Sequence, residues 1–225
     1  DGTYKLDDFD KSGNTYTLKA NVPHFSGENN TQPGMPKYRD INGDGVVDSN
    51  DCTVIGNGLP THTGGFTNNF AYAGFDLSIF FQWSYGNDIL NANRLFFESS
   101  WNTSRDLNQF ASYANRWTFD NPTSDIPRAI NSASNKVFSS RIIEDGSFLR
   151  LKTLTLGYTL PKAVVTRLHI DNLRVYFAAQ NLFTITDYSG YDPEVSIRDN
   201  ALTPGLDFSA YPRARQFSFG LHIGF

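Results

Sequence analysis

From Phe75 to Tyr85 the chain alternates. Phe75, Leu77, Ile79, Phe81, Trp83 and Tyr85 fall on one side, and Asp76, Ser78, Phe80, Gln82 and Ser84 on the other. A period of two places successive side chains on opposite faces of a β-strand, and only Phe80 breaks the polar series. Eleven extended residues reach about 36 Å at roughly 3.3 Å each, whereas strands commonly run about five or six residues. Tilted by about 45°, the run spans about 25 Å, the height of the apolar band on a membrane-spanning β-barrel. Length, more than alternation, favours a barrel wall over a soluble sandwich.

The last thirteen residues repeat the pattern. Phe217, Phe219, Leu221, Ile223 and Phe225 face one way, and Gln216, Ser218, Gly220, His222 and Gly224 the other, with no Lys, Asp or Glu. Taken alone, this strand fits a barrel wall and the edge of a soluble β-sandwich equally. Residues 62–85 read as a hairpin whose first arm carries Phe66, Phe70 and Tyr72. Phe148 to Thr159 is a strand with a change of phase, Leu149 and Leu151 on one face and Leu154, Leu156 and Tyr158 on the other, which a bulge near Lys152-Thr153 reconciles. Asn172 to Leu182 is another strand. Tyr16, Leu18, Ala20 and Val22 suggest a further one ending before Pro23, after a polar loop over residues 1–14. Residues 24–61, 86–147 and 183–212 are long connections, and short ones lie between them. A short helix is expected at Ile89 to Phe97.

Phe, Tyr and Trp make up 15% of the chain, which suits aromatic belts at membrane interfaces. No apolar run of about 18 residues exists, so no transmembrane helix is expected. A formal charge of −4 without basic clusters excludes nucleic acid as a partner. Cys52 is the single cysteine, too few for an internal disulfide. Asp1-Gly2-Thr3-Tyr4 has neither a basic region nor an apolar core, so no export leader is read there.

The sharpest motif lies in the first long connection. Residues 40–51 follow the D-x-N-x-D-G calcium-loop pattern. Asp40, Asn42 and Asp44 offer side-chain oxygens at loop positions 1, 3 and 5, and Val46 its backbone carbonyl. Asp48 stands at position 9 and Asp51 at position 12, where the usual residue is Glu. Gly45 falls where the loop turns sharply. Pro33, Gly34 and Pro36 forbid a regular entering helix. Hard oxygen ligands make calcium the expected ion. The plainer reading is an Asp/Asn/Gly-rich turn.

Several short motifs recur in order. They are Gly34 to Gly45 with Val54-Ile55-Gly56, Gly64-Gly65-Phe66-Thr67-Asn68, Gly74-Phe75-Asp76-Leu77-Ser78, Phe148-Leu149-Arg150-Leu151-Lys152 with Leu156-Gly157-Tyr158, Gln180-Asn181-Leu182-Phe183, and Tyr191-Asp192-Pro193-Glu194. As an ordered series, from about residue 34 to 225, they resemble the C-terminal barrel region of SusC/RagA-type TonB-dependent outer-membrane transporters. Residues 1–33 match poorly. The resemblance implies an all-β fold, the C-terminal antiparallel strands of a large transmembrane β-barrel with long extracellular loops. It also implies a plug, a SusD-like surface lipoprotein, energy from TonB, and import of a glycan or peptide across the bacterial outer membrane. Five or six strands leave two open edges and cannot close alone, so the chain is expected to be part of a longer transporter. Residues 86–146, with Trp101 and Trp117 as anchors, are expected to touch the lipoprotein or the ligand. The ligand-contacting residues are not readable.

Two other function classes compete. A secreted, calcium-binding carbohydrate-binding or dockerin-like module leaves the long strands unexplained, and a dockerin needs a second loop copy. An enzyme finds no support. The histidines at 24, 62, 169 and 222 form no H-x-x-x-H pair, and G-x-S-x-G and the P-loop are absent.

Overall fold

A computed structural model describes residues 2–27, 30–99, 108–130, 137–196 and 204–225. Its contacts divide into two units, one of residues 57–89, 145–205 and 210–225 and another of residues 1–56, 90–144 and 206–209.

The first of these is an antiparallel sheet. Numbered along the whole chain, its strands are β5 (His62–Tyr72), β6 (Phe75–Tyr85), β9 (Phe148–Thr159), β10 (Asn172–Thr186) and β12 (Gln216–Gly224). The order is β12-β10-β9-β6-β5, so each strand lies beside its neighbour in the meander. The hairpin over residues 62–85 and the strand over Phe148–Thr159 fall where alternation places them. β10 runs on to Thr186, past the expected end at Leu182, because Thr184 and Thr186 still pair with Arg150 and Phe148.

Register keeps one apolar face across the sheet. Leu77 pairs with Leu156, Leu156 with Phe177 and Phe177 with Phe219. The opposite face carries Asp76, Ser78, Gln82, Arg174, Gln180 and His222. The expected bulge is present. Between the pairs Phe80–Thr153 and Phe81–Leu151, Lys152 is the extra residue of β9. β10 answers with Asn181 and Leu182 between Gln180–Thr153 and Phe183–Leu151, and Asn181 takes a positive φ of 51°. The phase change in the sequence is thus absorbed, and Leu149 and Leu151 stay on the apolar face.

Gly157 has a steric reason. It pairs with Asp76 on one side and Tyr176 on the other, and the Arg174–Asp76 ion pair crosses directly over it. Arg174 Nε and Nη2 donate to Asp76 Oδ1 and Oδ2 at 3.0 and 2.6 Å. A Cβ at residue 157 would lie 2.4 Å from Arg174 Nη2 and 2.5 Å from Asp76 Oδ1. Only a residue without a side chain lets a guanidinium reach two strands away.

The other unit holds a hairpin of β1 (Phe9–Ser12) and β2 (Thr15–Leu18), and a two-residue parallel pair of β3 (His24–Phe25) with β4 (Val46–Val47). β1 replaces the polar loop expected over residues 1–14. Phe9 turns inward onto Tyr4 and Met35, a tertiary contact that alternation does not encode. β2 ends at Leu18 rather than before Pro23. A three-stranded sheet has the order β11 (Leu206–Asp207), β7 (Asp88–Asn91), β8 (Ile143–Asp145). Helix α1 is Ala92–Phe97, shorter than expected because residues 88–91 are extended. The described residues contain no helix long and apolar enough to cross a membrane, which says nothing of crossing by strands.

Candidate functional site

Two arrangements bear on function. The first is a clasp on the polar face of the sheet. Arg150 is the third residue of β9 and is 2% exposed. Its Nε donates to Thr184 Oγ1 at 2.9 Å, its Nη1 to Glu194 Oε2 at 2.7 Å and its Nη2 to Asp192 Oδ1 at 2.5 Å. Lys152, the bulge residue, donates to Gln82 Oε1 and lies 3.4 Å from Glu194 Oε1. Arg213 closes the group, its backbone N–H donating to Asp192 Oδ2 at 3.0 Å and its Nε lying 3.4 Å from Glu194 Oε2. A buried cation is tolerated only when its hydrogen bonds are met by opposite charge, and here two carboxylates meet them. Burial pushes the Asp192 carboxyl up, but the Arg150 guanidinium and the N–H groups of Glu194 and Arg213 outweigh it and hold it below the usual carboxylate range. The clasp folds the Asp192-Pro193-Glu194 turn back onto the sheet.

Sequence reasoning found both motifs without joining them. The signal was a pair of complementary doublets, Arg150-x-Lys152 and Asp192-x-Glu194, with the basic one set oddly inside an apolar strand.

The second arrangement is the loop of residues 40–51, which carries all six expected metal-site residues, Asp40, Asn42, Asp44, Val46, Asp48 and Asp51. Asp40 accepts from the N–H groups of Gly43 and Gly45 at 2.6 and 2.8 Å. Asn42 Oδ1 accepts from Asp44 N–H, and Asp44 Oδ1 from Val46 N–H, both at 2.9 Å. Asp48 caps the turn at Ser49–Asp51 through Asn50 N–H at 2.7 Å. Gly45 has a φ of 87°, as the expected sharp turn requires. Asp51 behaves differently from a position-12 Glu. Its Oδ1 accepts from Ile41 N–H at 2.7 Å and its Oδ2 from Asp48 N–H at 2.8 Å, so it ties the two ends of the loop together. Among the described residues no three Asp, Glu, His or Cys side chains stand in a metal-holding cluster. The carboxylates are spread along the loop backbone, though each oxygen keeps a second lone pair.

The N–H groups of Asp48 and Ile41 hold the Asp51 carboxyl below its usual range, and Asn42 adds to them against partial burial. A carboxylate with a lowered folded pKa stabilises the folded loop above the unfolded value of about 4. That stabilisation is lost as pH falls through the lower folded value. Amide protection at Ile41 and Asp48, corrected for intrinsic exchange, is therefore expected to be high at neutral pH. On acidification it should approach that of Asp51→Asn. Protection in the wild type no higher at neutral pH than in Asp51→Asn would contradict this assignment.

In the segment of residues 86–146, Trp117 is 2% exposed and packs internally, with the Arg128 guanidinium 5.6 Å from its ring. It is not a surface anchor, which corrects the expectation from sequence. Trp101 lies outside the described residues. Glu98 is buried between Arg94 at 3.0 Å and Arg141 at 2.9 Å, and it accepts from Ser112 Oγ at 2.6 Å. The segment thus has an ionic core of its own.

No family model matches the chain. TonB-dependent receptor P3 of Formosa agariphila is 36% identical over 200 residues, covering 87% of this chain and 19% of the receptor. TonB-dependent receptor SusC of Bacteroides thetaiotaomicron is 29% identical over 199 residues, covering 88% and 18%. A solved structure of the RagAB peptide importer in its closed-closed state superposes with a TM-score of 0.67 at 29% identity, over 85% of this chain and 21% of that one.

The chain is homologous to part of a SusC/RagA-type TonB-dependent receptor. It spans about a fifth of the length of the receptors it matches. Within such a receptor, the five long strands are barrel strands, and the clasp joins one of them to the connection that follows β10. The names P3, SusC and RagAB are those of receptors and importers, none an enzyme's, in agreement with a sequence that selects no catalytic set.

Proposed function

We propose that the chain forms part of the wall and outer loops of an outer-membrane importer for a glycan or peptide. The importer draws energy from TonB through parts outside this chain and works with a SusD-like surface lipoprotein. The observation that carries this reading is the unbroken apolar face running Leu77–Leu156–Phe177–Phe219 across a meander of 9- to 15-residue strands, joined by alternating short and long connections. RagAB is a peptide importer, which supports uptake as the function of the receptor this chain belongs to in this reading. In this reading Leu77, Ile79, Phe81, Phe177, Phe219 and Leu221 face lipid, and the clasp faces the lumen. The test is cysteine labelling in the full-length protein after membrane fractionation. Phe219→Cys should react with a lipid-soluble maleimide and His222→Cys with an aqueous one, both in the outer-membrane fraction. Recovery in a soluble fraction, or equal aqueous labelling at both positions, would overturn it.

Calcium is the second part of the proposal. Asp40, Asn42, Asp44, Asp48 and the Val46 carbonyl would hold the ion, with Asp51 fixing the loop rather than ligating. A hard divalent cation there would offset the mutual repulsion of the loop carboxylates and order the segment. Asp40→Ala or Asp44→Ala is expected to abolish calcium uptake and loosen residues 38–56 while strand content stays unchanged. Metal analysis and limited proteolysis of the full-length protein, with and without chelator, read the result. A loop equally protected in chelator, with calcium at background, would sink the idea.

A further inference from the structure

The pairing of β10 with β12 stops at Gln180–Gln216, but β10 stays paired with β9 as far as Thr186. The chain before Gln216 therefore peels away and opens a fork in the sheet. Across it Asn181 Nδ2 donates to the Ala214 carbonyl at 3.0 Å. In the fork lies a cavity of about 260 Å³, its walls including Arg150, Asn181, Tyr191, Asp192, Arg213 and Arg215.

The charges there do not balance. Arg150 is saturated by Asp192 and Glu194, and Lys152 also leans on Glu194. Arg213 has only its Nε near Glu194, at 3.4 Å, and its side chain is half exposed. Arg215 is exposed and has no ion-pair or hydrogen-bond partner among the described residues. The four basic side chains Arg150, Lys152, Arg213 and Arg215 thus face two carboxylates, leaving two positive charges in excess. Asp192 and Glu194 together face Arg150 and Lys152 at closer range or deeper burial, so the excess sits on the exposed Arg213 and Arg215, which line the cavity. Tyr191, 81% exposed, lines it too.

We propose that this fork is a subsite for a carboxylate of the transported ligand, held by Arg215 and Arg213 beside the Tyr191 ring. Guanidinium forks match the two oxygens of a carboxylate and bind it bidentately. The clasp behind them holds Asp192 on Arg150 and leaves Glu194 only a long 3.4 Å contact with Arg213, so neither acid closes the Arg215 guanidinium. The inference deepens the importer reading and rests on it. A peptide C-terminus and a uronic-acid sugar share the required group.

The test uses the full-length transporter, purified from the outer membrane, and titration calorimetry. The probes are a randomised hexapeptide pool as free acid and as C-terminal amide, and an oligogalacturonide pool before and after methyl esterification. At least one acid pool is expected to bind ten-fold or more tighter than its neutral form. Arg215→Gln should remove that ratio without weakening the neutral form, and Arg215→Lys should retain part of it. Preference in the peptide arm names a peptide carboxylate, and preference in the sugar arm an acidic glycan. Neutral forms that bind as well as the acids in both arms, no binding in any arm, or a preference that survives Arg215→Gln, each overturn the subsite. The importer reading is scored apart by outer-membrane recovery of the wild type, which can succeed while the subsite fails.

Discussion

Arg150→Met is expected to destabilise the fold around the clasp by about 3–5 kcal/mol, the range for removing one partner of a buried ion pair. The loss comes less from the bonds removed than from what stays behind. Asp192 keeps only N–H donors, and Glu194 keeps Lys152 and Arg213 at 3.4 Å each. The change should appear first as faster hydrogen exchange and proteolysis over residues 187–196, before the barrel itself unfolds. The triple variant Arg150→Met, Asp192→Asn, Glu194→Gln should recover most of the loss, because it leaves no fully buried charge: Lys152 keeps Gln82 as its acceptor and Arg213 is half exposed. A single variant that stays within about 0.5 kcal/mol of wild type, the usual span of a neutral surface change, would show that the clasp does not secure this turn.

The second large effect separates the two faces of one strand. Ile79→Arg is expected to cost roughly 2–4 kcal/mol, the cost of a cation at the midplane on the lipid side of a barrel. Ser78→Arg, one residue away but on the face shared with Thr155, should cost much less. Urea unfolding of the full-length protein in liposomes gives the comparison. Equal losses at both positions would remove the assignment of lipid to the Ile79 face.

Periodicity made the wall legible. The alternation from Phe75 to Tyr85 and from Gln216 to Gly224 carries strand, length and facing together, and even the bulge at Lys152 was written in the phase of Leu149, Leu151, Leu154 and Leu156. β1 was not legible, because Phe9 becomes a strand residue by packing on Tyr4 and Met35 rather than by any local pattern. The calcium-loop spacing marked six residues that do share one loop, yet it gave no sign that Asp51 spends both oxygens on backbone N–H groups. That depends on one missing methylene and on where the chain ends meet. The clasp was hidden for a different reason: Arg150 and Asp192 are 42 residues apart. Nothing in either motif alone states that a strand arginine and a loop aspartate share a buried site.

The alternation of short and long connections also orders the assembly of the sheet in time. Joining β5 to β6 needs only the turn at residues 73–74, and joining β9 to β10 closes residues 160–171. Bringing β6 to β9 must close residues 86–147, which costs about 1.5 kcal/mol more loop entropy than the β9–β10 closure. Two hairpins therefore zip early and independently, and the β6–β9 seam is sewn last. Substitutions inside the β5–β6 ribbon should therefore slow insertion into the membrane, whereas those along the late seam, such as at Leu154, should mainly hasten unfolding.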